Sequence, residues 1–135
     1  MSVACSGTPL GQKLGLREGD RVLLVAAPAG FERLLAPLPA GAALLRRARA
    51  PLDAIVFFAT RRVEIERRHT SLAARLTPAG MLWLAWPKRA SGVPTDVTED
   101  ALREVLLPSG MVDTKVCAID DVWSGLRFVR RKELR

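Results

Sequence analysis

Three stretches of the chain are apolar at every position: Val22–Ala27, Ala54–Ala59 and Met81–Trp86. A strand with one wet face alternates, whereas a strand covered on both faces does not. These three therefore read as central strands of a parallel sheet between helical layers. Between them the apolar spacing changes to steps of three and four. Arg61–Leu76 puts Ile65, His69, Leu72, Ala73 and Leu76 on one stripe of the longest helix, and Pro78-Ala79-Gly80 ends it. Phe31, Leu34, Leu35 and Leu38 mark a shorter helix cut off by Pro37. Ahead of the first strand, Thr8 as N-cap, Pro9 at the first helical position and Gly15 past the end outline a short helix with Leu10 and Leu14 on its apolar side. Ala42–Arg47 is a weaker strand. After Trp86 comes a polar loop, Pro87 to Thr95. Asp96 or Thr98 then caps a helix with Glu99 and Asp100 in its first turn, where acids suit the helix dipole. Leu102, Val105 and Leu106 are its buried side, and Pro108 and Gly110 stop it. The chain closes as a hairpin: Asp113–Ile119, a connection from Asp120 to Gly125, and Leu126–Arg131.

Strand–helix alternation of this kind predicts an α/β fold, a three-layer Rossmann-like sheet, parallel in the centre, with a C-terminal antiparallel hairpin. The 135 residues suit a single domain over 1-135, with 1-19 as a helical lead-in and 126-135 as the last strand and basic tail. One link strains the scheme. Six residues separate Arg47 from Ala54, and a parallel crossover usually takes about a dozen or more. Either 42–47 is a short edge piece, or an extended connection crosses the sheet end without a helix.

Charge changes the picture. The net charge is +7, but it is unevenly placed. Residues 46–75 carry eight arginines against Asp53, Glu64 and Glu66, a balance of +5, and residues 127–135 add +4. Residues 96–121 hold seven acids against Arg103 and Lys115, a balance of −5. The basic segments could dock phosphates or an acidic partner. With no Tyr, and Phe confined mostly to apolar runs, the stacking platform of a single-strand binder is missing. A solvated arginine-rich surface is the favoured expectation, and nucleic acid the weaker one. No apolar run approaches the roughly 20 residues of a membrane span, and no signal peptide is visible at MSVACSGTP. A bacterial, cytoplasmic protein with no membrane partner is expected. Cys5 and Cys117 alone make neither a metal cluster nor a disulfide framework, so no metal is expected. Cys117 reads as a small buried hydrophobe, and His69 as a packed side chain on the sheet-facing stripe.

Two segments resemble the class I, Rossmann-like methyltransferases. One is Gly19-Asp20-Arg21-Val22-Leu23-Leu24-Val25 with the turn and helix after it. The other is Leu76-Thr77-Pro78-Ala79-Gly80-Met81-Leu82-Trp83-Leu84, similar to that fold's penultimate helix-to-strand turn. The closing hairpin is also that fold's ending. More narrowly, SGTPLGQKLGL, WPKRASGVPTDVTED and VDTKVCAIDDVWSGLRFVRR together resemble the bacterial domain-of-unknown-function 3052 family, which implies no catalytic residues. The methyltransferase resemblance implies an S-adenosylmethionine site, and the sequence departs from it at two positions. The turn after the first strand reads Ala26-Ala27-Pro28-Ala29-Gly30, where glycines let a backbone approach a ligand, and Pro28 removes an N–H donor. The second strand ends in Arg46, Arg47 and Arg49, where an acid takes the ribose hydroxyls. The expectation is therefore a non-catalytic module without a cofactor, rather than an enzyme.

In an open α/β sheet a ligand sits outside the carboxyl ends of the strands. The loops at those ends are Pro28 to Gly30, Thr60-Arg61, Lys88 to Gly92, and Asp120 to Ser124. They offer Lys88, Arg89, Ser91, Gly92, Thr95, Asp120, Asp121, Trp123 and Ser124 as candidate ligand-binding residues for a small molecule or a protein partner. Asp120-Asp121 can equally serve as turn formers, and Ser91-Gly92 as plain turn chemistry. A methyltransferase-like enzyme with an atypical cofactor site is the first alternative, and a basic nucleic-acid-associated protein the second.

Overall fold

The computed structural model describes residues 8–49 and 51–135. Its elements in chain order are α1 (Leu10–Lys13), β1 (Arg21–Val25), α2 (Phe31–Leu35), β2 (Ala43–Leu45), β3 (Leu52–Phe58), α3 (Arg62–Ala73), β4 (Leu76–Pro87), α4 (Glu99–Leu106), β5 (Met111–Ala118) and β6 (Trp123–Arg130). The strands form one six-stranded sheet in the order β2-β1-β3-β4-β6-β5. The pairs β2–β1, β1–β3 and β3–β4 are parallel, and β6 runs antiparallel to both β4 and β5. This is the expected α/β sheet with its antiparallel hairpin.

Alternate residues of each central strand face opposite layers. Leu23, Val25, Ile55, Phe57, Leu82, Leu84 and Trp86 join Ile65 and Leu72 of α3 and Leu102 and Leu106 of α4 in one core. Val22, Leu24, Val56, Phe58, Trp83 and Ala85 join Leu14 beside α1 and Phe31 and Leu35 of α2 in the other. Trp83 is fully buried, and its indole N–H donates to the Leu14 carbonyl at 2.9 Å, pinning α1 to the sheet centre. On the facing strand, a Cβ at Gly125 would come within 3.0 Å of the Trp83 ring, so β6 can lie there only as glycine.

The short link resolves itself by geometry. β2 pairs only along Arg21–Leu23, so the chain has three residues of strand to retrace before β3. The described residues of this connection contain no helix. Leu45 and Ala48 pack on the α3 side of the core, and Arg75 reaches the Ala48 carbonyl at 3.5 Å. β2 is thus a short parallel edge strand that leads directly into the connection to β3.

The structure shifts several expected boundaries. Pro78-Ala79-Gly80 is no helix stop: α3 ends at Ala73, and β4 already begins at Leu76, paired with Leu52. The strand then bulges, so that Ala54 faces Met81. A bulge is where a strand tolerates proline. A Cβ on Gly80 would lie 3.0 Å from Leu76 Cβ and from the Thr77 carbonyl, so the bulge folds against itself. At the N-terminus Pro9 takes the cap position that Thr8 was expected to hold. In the hairpin, Trp123 and Ser124 belong to β6 rather than to the connection. Cys117 is buried as expected, and Cys5 lies outside the described residues.

Candidate functional site

The carboxyl ends of β1, β3, β4 and β5 open on one rim, completed by the start of β6. β1 leaves the sheet through Ala26, which has φ +57. Left-handed backbone is uncommon for a residue with a Cβ. Gly30, four residues on, has φ +83 and open space where a Cβ would stand. The turn therefore keeps two left-handed positions around Pro28, although only one is glycine. Its far side is held by aromatic rings. Phe31 packs edge-on to Phe58 at 4.8 Å, and Phe58 packs edge-on to Trp123 at 5.1 Å. These contacts tie the β1 turn, the end of β3 and the start of β6 together.

The candidate residues share this rim but divide their work. Lys88 donates its backbone N–H to the Val122 carbonyl at 2.7 Å, which joins the 88–95 loop to the hairpin turn. Asp120 Oδ1 accepts the N–H groups of Val122 and Trp123, each at 2.8 Å, so this carboxylate forms the turn. Ser91 Oγ donates to the Lys88 carbonyl and accepts from Val93 N–H. Gly92 is left-handed at φ +77 and closes that turn. Thr95 Oγ1 donates to the Thr60 carbonyl at 2.6 Å and accepts from Val97 N–H. Arg89 and Asp121 are exposed, and Ser124 pairs within β6 between Trp86 and Ala118. Trp123 is half-buried against Phe58.

Arg89, Gly92 and Thr95 line a groove of about 760 Å³ with Trp86, Val97 and the first turn of α4. Asp120, Asp121, Trp123 and Ser124 are not part of its lining. A separate cleft of about 380 Å³, beside Asp20, Asp53 and Arg127, opens at the opposite end of the sheet.

The loop is also fastened from below. Asp96 Oδ1 accepts the Arg62 N–H at 2.7 Å, capping α3 from a different element. Arg62 bridges Glu66 and Glu104, joining α3 to α4, and Arg103 bridges Glu99, Asp100 and Asp113. Hydrogen bonds to Glu104 and then Glu66 hold the Arg62 pKa above its ordinary value, and those to Asp113 and Glu99 do the same for Arg103. The acids of the 96–121 segment are thereby partly paired with arginine.

The structure also places a carboxylate where the sequence offered none. Glu32, in the first turn of α2, forms an ion pair with Arg46 just past β2. The pairing joins residues of two different elements, so no local motif announces it. Its only sequence signal is an acid at the second position after the Ala26–Gly30 turn. Among the described residues, no group of three or more His, Cys, Asp or Glu could hold a metal ion.

The fold has many solved counterparts. A methyltransferase dependent on S-adenosylmethionine from Aquifex aeolicus matches with a TM-score of 0.60 at 14% identity, over 87% of this chain and 85% of that one. The N-methyltransferase NodS from Bradyrhizobium japonicum WM9 gives 0.58 at 13% identity, over 91% of each chain. The ribosomal protein L11 methylase from Lactobacillus delbrueckii subsp. bulgaricus gives 0.60 at 13% identity, over 90% of this chain and 75% of that one. The sequence matches no protein-family model and no curated protein. At these identities the likeness defines the architecture: the chain has the Rossmann-like fold of the class I methyltransferases. Among the described residues, no helix is long and apolar enough to cross a membrane.

Proposed function

We propose that this chain is a methyltransferase-like domain that binds S-adenosylmethionine or a close adenosyl relative at the β1 turn, through an altered cofactor site. The observation that carries the reading is Ala26 at φ +57. A side chain held in left-handed backbone costs on the order of 1–2 kcal/mol, and such outliers persist where the surroundings impose them. Here the imposed shape, with Gly30 also left-handed, is a turn that presents main-chain groups to a ligand outside β1. The residues present fit an adenosyl ligand in two respects. The 26–30 backbone keeps positive φ at Ala26 and Gly30, with open space where a Cβ on Gly30 would stand. Glu32 supplies a carboxylate beside the end of β2, the usual place for a ribose partner. A carboxylate has acceptor sites beyond those that one guanidinium takes, so Glu32 can hold Arg46 and still accept ribose hydroxyls. Arg46 would fix its orientation. When bound, such a ligand supplies an electrophilic methyl group. The chain's own part is to position the adenosyl moiety beside the half-buried Trp123 ring, which the buried Phe58 backs. Membership of the domain-of-unknown-function 3052 family, read from its three motifs, is part of the same proposal.

Titration of the full chain with S-adenosylhomocysteine in a thermal-shift assay tests this. A saturable rise in Tm is expected, and Glu32→Gln is expected to weaken it at least about tenfold, the loss of a charged hydrogen bond. No shift at any concentration would refute the proposal.

A second reading, a ligand-binding module without catalysis, draws on the 760 Å³ groove beside Arg89 and Thr95. It expects Arg89→Ala to abolish small-molecule binding while the response to S-adenosylhomocysteine is absent in the wild type.

A further inference from the structure

Arg68 within α3, Arg61 at its N-cap and Arg75 just past its C-cap put three arginines along the length of this helix. Two contacts mark one flank of it. The Arg68 guanidinium lies 5.5 Å from the Phe57 ring, and Arg75 reaches the Ala48 carbonyl. This is the flank turned away from α4, whose own contacts with α3 run through Arg62 and Glu104. The β2–β3 connection lies along the same flank and adds Arg47 and Arg49, and Arg21 donates to the Arg49 carbonyl at 3.5 Å. The fold thus gathers arginines from β1, the connection and α3 into one surface, running from the rim at Arg61 to the amino end of the sheet. Glu64 is the acid that α3 carries on this side. Asp53, at the start of β3, already accepts the Arg21 backbone N–H.

We infer that this flank docks the phosphate backbone of a double-helical nucleic acid, without reading its sequence. Guanidinium groups match phosphate geometry, and a row of them releases counterions from a polyanion. The other partners of a basic surface need apolar groups beside the charge. Protein interfaces have an apolar core, and membrane-surface helices insert apolar side chains. Among the described residues, the exposed large hydrophobics, Leu34, Val93, Leu107, Val116 and Leu134, all lie outside the β2–β3 connection and α3. No aromatic ring is exposed among them, so the unstacked bases of a single strand find no platform. A duplex, whose backbone alone is presented, fits what remains. The inference does not depend on the adenosyl site.

Fluorescence anisotropy of the full chain with short labelled RNA and DNA duplexes, in the absence of any methyl donor, tests it. Binding is expected to weaken steeply between about 50 and about 200 mM salt. Arg47→Gln/Arg49→Gln/Arg68→Gln is expected to lose at least about tenfold in affinity, and to lower the log–log salt slope by roughly 0.7–0.9 per arginine removed. Because Arg68 packs on a buried ring, Arg47→Gln/Arg49→Gln serves as a second variant on the connection alone, with an intermediate loss expected. Arg131→Gln/Lys132→Gln in the basic tail is expected to retain affinity. Absence of salt-dependent duplex binding would overturn the inference. So would an equal loss from the tail variant, or tighter binding to anionic vesicles or an acidic peptide than to either duplex. A preference between the RNA and DNA arms would identify the natural duplex.

Discussion

Ala26 is the residue on which most turns. If the surrounding fold imposes its left-handed backbone, Ala26→Gly relieves strain and is expected to leave stability unchanged or raise it by up to about 1 kcal/mol, while Ala26→Val lowers it by more than that. Urea denaturation of the three proteins compares them directly. A second single-residue effect belongs to His69. It is buried on the sheet face of α3, its Nδ1 has no hydrogen-bond partner among the described residues, and burial pushes its pKa below the ordinary value, with Glu66 opposing. A lowered pKa means that the unfolded chain binds the proton more readily. The stability His69 contributes is therefore present above about pH 6.5, its unfolded value, and is lost as the pH falls from there toward its folded pKa. Tm measured from pH 7.5 down to pH 5 is expected to fall, and His69→Leu is expected to remove part of that slope. His69 on a sheet-facing stripe was legible in the sequence. Glu32 was not, because its significance comes from Arg46, fourteen residues further along the chain and in another element.

The 87–98 segment behaves as a strap. Thr95 fastens it to the end of β3 and Asp96 fastens it to the start of α3. Asp96→Ala removes the cap on α3 and is expected to cost about 1 kcal/mol, read by denaturation, with faster amide exchange at Arg62. The central strands were plain from the sequence because they are covered on both faces and apolar throughout. The lower part of β4 was not. Pro78-Ala79-Gly80 reads locally as a stop, and only the pairing of Leu76 with Leu52 shows that the strand has already begun. The hairpin misled for a similar reason. Ser124 and Gly125 look like turn residues, but Gly125 is the strand position that lets the Trp83 ring fit. Asp120, by contrast, did what its residue type suggested, shaping the turn with its side chain.

The whole molecule has the fold of the class I methyltransferases, and on the proposed reading its adenosyl-binding groups are displaced by a few residues. The sheet order, the closing hairpin and the rim are those of the fold, while the turn glycines are alanines and a proline, and the acid beside β2 comes from α2. On the α3 side the same scaffold carries a band of arginine that the strand pattern alone did not reveal. Loop and helix had to be brought together before the charges formed one surface. The candidate loops were placed correctly on the rim by the rule of strand ends. Much of their polar chemistry proved internal, because Ser91, Thr95 and Asp120 satisfy backbone groups of the loops themselves.

On the proposed reading, the altered turn still receives an adenosyl ligand. Isothermal titration of the purified full chain with S-adenosylhomocysteine measures this most directly. One saturable site is expected, with an affinity that drops in Glu32→Gln. A flat titration with protein that melts cooperatively would contradict it.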